Sequence, residues 1–130
     1  MAIVSEYFEE LEFWDYSYFG QPLIKNTTLI IPTRDIRVYE GHPLNNTGQT
    51  MLLPCVKLVF SGVQSSVRVV AEYLGHPNSG KGFKPSYKIV DSSFTKTSEP
   101  TRNFFLEGIL SEPLAYVTWE IESVSFHLEV

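Results

Sequence analysis

The alternation of apolar residues from Cys55 to Leu74, CVKLVFSGVQSSVRVVAEYL, constrains this chain more than any other feature. Val56, Leu58 and Phe60 share one parity, and Val67, Val69, Ala71 and Tyr73 share one in the second half. A strand sends alternate side chains to opposite faces, so each half offers one continuous apolar face. The opposite faces mix Lys57, Arg68 and Glu72 with Val59, Val70 and Leu74 and read as half-buried. Between the halves, Ser61-Gly62-Val63-Gln64-Ser65-Ser66 carries turn chemistry, which predicts a β-hairpin.

The last stretch repeats the pattern with a break. Ala115, Val117, Trp119 and Ile121 share one parity, and Val124, Phe126, Leu128 and Val130 share the other. A β-bulge at Glu122-Ser123 would restore the facing of the apolar set, and a tight turn there is the alternative. In either case the C-terminal stretch belongs to the core. Phe104 to Leu110 reads as a strand interrupted by Gly108, and Tyr87 to Val90 as a short one. Leu29-Ile30-Ile31 and Ile36-Arg37-Val38-Tyr39 read as two strands with Pro32 between them, marking an edge, a bulge or a junction. Residues 41 to 50, 75 to 86 and 91 to 102 read as loops. Strands this close together predict one all-β domain over residues 1 to 130. The expected fold is an antiparallel sandwich or barrel of roughly seven to nine strands.

Residues 5 to 19, SEYFEELEFWDYSYF, fit two descriptions. A helix aligns Tyr7, Leu11, Trp14 and Tyr18. A strand from Leu11 sets Leu11 and Phe13 against Trp14, Tyr16 and Tyr18. Aromatics favour the strand, with a short helical turn before residue 10.

Composition narrows the setting. The 130 residues suffice for one core without staples. No run approaches the ~18 apolar residues of a membrane helix. MAIVSEYFEE lacks the basic flank and apolar segment of a signal peptide. A lone cysteine, Cys55, fits a reducing compartment, so the expected location is cytoplasmic and the sequons at Asn26 and Asn45 are expected to stay bare. The net charge of −5 argues against nucleic acid as a partner.

Each candidate for chemistry falls short of a reaction. Gly75 to Lys81 opens like a phosphate-binding loop, but Gly82 stands where a hydroxyl is needed, and Phe83-Lys84-Pro85 cannot start the helix. Gly-His-Pro recurs at 41–43 and 75–77, which could pair His42 and His76 on a metal, yet the sequence supplies no further ligand pattern. Cys55 is expected to be a small buried thiol. His127, on the polar parity of the last strand, is expected at the surface or rim. No catalytic residue, metal or cofactor is assigned.

What stands out is the first segment. Tyr7, Phe8, Phe13, Trp14, Tyr16, Tyr18 and Phe19 interleave with Glu9, Glu10, Glu12 and Asp15, and no basic residue precedes Lys25. One element cannot bury aromatics on every side, and carboxylates among exposed aromatics would steer a basic partner. The expected contact surface is Glu9, Glu10, Glu12, Trp14, Asp15, Tyr16 and Tyr18; the alternative is that Phe8, Leu11 and Phe13 are core while the tyrosine hydroxyls only reach solvent from a half-buried strand. The expected function is a non-enzymatic protein-binding module. In character it is similar to small acidic proteins that neutralise a basic protein by binding it, as immunity proteins do, although no motif carries that likeness. The alternative is a β domain that binds a small ligand, a sugar or an apolar molecule, beside Tyr73, Tyr116 and Trp119. Strand edges and surface aromatics would also permit a homodimer.

Overall fold

Alternating sequence becomes extended backbone over most of the described residues. The computed structural model describes residues 3–13, 17–72, 87–91, 94, 96, 98–111 and 114–130. Its strands are β1 (Ile3–Ser5), β2 (Leu11–Glu12), β3 (Tyr18–Phe19), β4 (Leu23–Lys25), β5 (Thr28–Val38), β6 (Met51–Glu72), β7 (Tyr87–Val90), β8 (Arg102–Ser111) and β9 (Leu114–Glu129). A 3-10 turn at Phe8–Glu10 precedes β2, where a short helical turn was expected.

Hydrogen bonding closes a ring. β9 pairs with β8, β8 with β3, β3 with β5, β5 with β6, and β6 returns to β9. All of these pairings are antiparallel except β3 with β8. The fold is therefore all-β and barrel-like, with β1 and β7 beside the ring and β2 and β4 against β5. A closed ring leaves its strands few open edges for stray pairing.

The expected hairpin does not form. β6 is one strand of 22 residues, and Ser61 to Ser66 lies inside it. One edge pairs with β5 over Met51 to Phe60, and the other with β9 over Lys57 to Glu72. Gly62 takes a positive φ of 68°, which bends the strand without reversing it. A Cβ there would lie 2.6 Å from Val124 Cγ2, so glycine lets the two strands approach. Close by, Val63 pairs with Ser123 and Ser65 with Glu122, leaving Gln64 as the extra residue of a bulge. The bulge thus sits opposite the expected site, on β6 instead of β9. It also inverts the second half of β6: Ser66 and Val70 are buried, while Val67 and Val69 turn outward.

Two further breaks in the predicted pattern are absent. β5 is continuous through Pro32, whose carbonyl accepts the Gly20 N–H at 2.7 Å. In an antiparallel strand the nitrogen of a residue faces the same neighbour as its carbonyl, so the missing donor falls between β3 and β4 and costs β6 no bond. β8 likewise continues through Gly108, where a Cβ would lie 2.7 Å from the Ser17 carbonyl oxygen.

The core fills the ring. Phe60, Phe104 and Phe126 meet at its centre, with ring centroids 5.2 to 6.0 Å apart. The 3-10 turn inserts Phe8 among them, 4.9 Å from Phe104 and 5.1 Å from Phe126. Phe13 stacks on Phe8 and Leu11 is buried, so Phe8, Leu11 and Phe13 join the core. Burying aromatic rings of this size supplies much of the hydrophobic stabilisation.

Candidate functional site

Parity places the outward residues of β8 and β9. Phe104 and Leu106 point inward, so Asn103, Phe105 and Glu107 point out. Val117, Trp119 and Ile121 point inward, so Thr118 and Glu120 point out. Register then sets Phe105 opposite Glu120, and Glu107 and Val69 on either side of Thr118. The N-terminal segment lies alongside, adding Phe8, Glu9, Leu11, Glu12 and Phe13 to a groove of about 800 Å³.

Charge in this groove has one sign. Glu9, Glu12, Glu107 and Glu120 line it, and no Lys or Arg stands among its described lining residues. Phe105 is 65% exposed and Val69 38%, so the wall between the carboxylates is apolar and open to water. Both side chains line the groove. Glu107 accepts the Tyr116 hydroxyl at 3.0 Å. Glu12 bonds the Tyr39 hydroxyl, which reduced hydration, and then this carboxylate, push above its ordinary value.

The residues expected to form one contact surface are divided. Glu9 and Glu12 belong to this groove. Glu10 is half-buried and its carboxylate packs on the turn at Gly41. Tyr18 lies beneath Arg34 in a different groove, with the guanidinium carbon 5.4 Å from the ring centroid. Trp14, Asp15 and Tyr16 lie outside the described residues. Glu107, Glu120 and Phe105 were not singled out in the sequence. Their signal was parity: Phe105 is the apolar residue out of phase with Phe104 and Leu106.

Other candidates resolve individually. Trp119 and Tyr116 project to opposite faces of β9, so they share no pocket, and Tyr73 lies outside the described residues. Cys55 is exposed where a buried thiol was expected. Inward facing passes from Leu53 to Val56, which turns Cys55 out beside Arg34. His127 is half-buried on the rim, its Nε2 2.9 Å from Glu129 Oε2. His42 is buried, and its Nδ1 accepts the Leu44 N–H at 3.1 Å. The second Gly-His-Pro and the glycine-rich segment from Gly75 lie outside the described residues. Among the described residues no three His, Cys, Asp or Glu side chains gather as metal ligands. Asn45, acceptor of the second sequon, is buried, with Nδ2 donating to the Val38 and Gln49 carbonyls. No described helix is long and apolar enough to cross a membrane. No family model, curated protein or solved structure matches this chain.

Proposed function

We propose that this is a non-enzymatic, cytoplasmic binding protein that takes a basic segment of a partner protein into the groove between its N-terminal segment and β8–β9. One observation carries the reading: four carboxylates and no described lining cation surround an exposed phenylalanine. A lysine- or arginine-rich segment would offset the charges, and its aliphatic stems would cover Phe105 and Val69. Charge of one sign speeds encounter with such a partner, and the apolar wall slows its release. Covering a basic surface in this way would neutralise the partner.

The experiment is retention of proteins from native lysate at low and high salt, with Glu107→Gln/Glu120→Gln and Phe105→Ala as paired baits. These side chains are exposed, so the variants keep the fold. A basic protein that is retained by the parent chain, released by salt and lost from both variants supports the reading. Equal retention by all three baits removes it.

A further inference from the structure

We infer that a second groove, formed by β3, β5 and β6, binds a small organic anion: one acid group on an apolar body. This site is independent of the acidic groove and shares no lining residue with it. Arg34 pairs with Cys55 and Pro32 with Lys57, which sets Arg34, Cys55 and Lys57 together on the outer face. Tyr18, the β3 partner of Arg34, underlies the guanidinium and orients its planar fork. Phe19 and Val56 turn inward to the core, so the apolar wall on this face comes from Pro32, Val130 and the Tyr18 ring, and the cavity measures about 650 Å³. That lies within the span of roughly 300–1,000 Å³ typical of small-ligand sites.

Neither cation has an ion-pair partner among the described residues. The ion pairs among the described residues join Arg68 to Asp91, Arg102 to Glu6, and His127 to Glu129. Glu129 is the register partner of Lys57 and lines the same groove, yet its carboxylate turns to His127. Among the described residues no ion pair holds Arg34 or Lys57, and both line the cavity with the apolar side chains of Pro32 and Val130. A molecule with an acid head and an apolar tail satisfies both halves at once. Two cations suit one acid group and are too few to follow a nucleic-acid backbone.

The test uses the intact chain and two probes. Anilinonaphthalene sulfonate is read by its fluorescence, and decanoate by displacing it. Expected are saturable binding, displacement by decanoate but not by decanol, and affinity about tenfold weaker or worse in Arg34→Gln/Lys57→Gln. Glu107→Gln/Glu120→Gln should bind as the parent does. Cys55 supplies a second readout, because decanoate seated beside it should slow its alkylation by iodoacetamide. Absence of saturable binding, equal displacement by decanol, undiminished affinity in the Arg34/Lys57 variant, or unprotected Cys55 would each overturn the assignment.

Discussion

Trp119 and Ser66 meet inside the β6–β9 ladder, the indole Nε1 donating to Ser66 Oγ at 2.7 Å with both residues buried. Ser66 Oγ in turn donates to Asp91 Oδ2 at 2.6 Å. The other Asp91 oxygen holds Arg68 at 2.9 Å, and that guanidinium returns over the Trp119 ring, 4.8 Å from its centroid. The circuit explains why a serine occupies a core position of β6: it is the acceptor a buried indole requires. Ser66→Ala should therefore cost about 1–3 kcal/mol in urea unfolding, because it strands the indole N–H. Val70→Ala, a neighbouring truncation of β6 outside the circuit, should leave the tryptophan emission wavelength closer to that of the parent than Ser66→Ala does.

Gly62 is the second point of sensitivity. Ala there meets both the positive φ and the Val124 side chain. Gly62→Ala should lose about 1–3 kcal/mol. Combining it with Val124→Ala should recover part of that loss, since the clash goes and the backbone strain stays. A neutral Gly62→Ala would mean that β6 does not follow this bend.

Acid should weaken the fold through His42. Burial holds its imidazole below the ordinary value of 6.5, partly opposed by the nearby Glu10. Because Nδ1 accepts from Leu44, the ring is neutral with its proton on Nε2, and that buried N–H has no partner among the described residues. The folded state thus binds fewer protons than the unfolded state just below 6.5. Its contribution is fully present above that pH and is lost as pH falls through the folded value. Urea midpoints measured from pH 7.5 to 5 should decline, and His42→Asn should flatten the decline. An unchanged slope in that variant would assign the loss to other groups.

Cys55 should behave as a surface thiol. It should react with a thiol reagent in native buffer at a rate that denaturant hardly raises, and Cys55→Ser should shift stability by less than about 0.5 kcal/mol. A thiol that reacts only after unfolding would place Cys55 in the core.

Asn45 ties the turn after β5 together. Its Nδ2 bonds the Val38 and Gln49 carbonyls, while Oδ1 accepts the Thr47 N–H and hydroxyl. Asn45→Ala should cost about 1–3 kcal/mol, with faster amide exchange at Thr47 as the local sign.

The sequence by itself determined the fold class, the inward set from Ala115 to Ile121 in β9, and the first half of β6. It also offered Phe8, Leu11 and Phe13 as core residues. Each of these rests on alternation, which is a local property of the chain. It could not tell a hairpin from one bent strand at Gly62, since both need the same turn residues. The choice came from β9, which pairs along β6 on both sides of the bend. Nor could it tell which half of a β6–β9 pair carries the bulge, so the facing of Val67 and Val69 came out inverted. The acidic groove was half legible, through Glu9 and Glu12. Glu107, Glu120 and Phe105 joined them only because β8 and β9 fold beside the N-terminal segment, nearly a hundred residues away along the chain. Proximity of that kind is set by strand pairing between distant segments, and no local pattern encodes it.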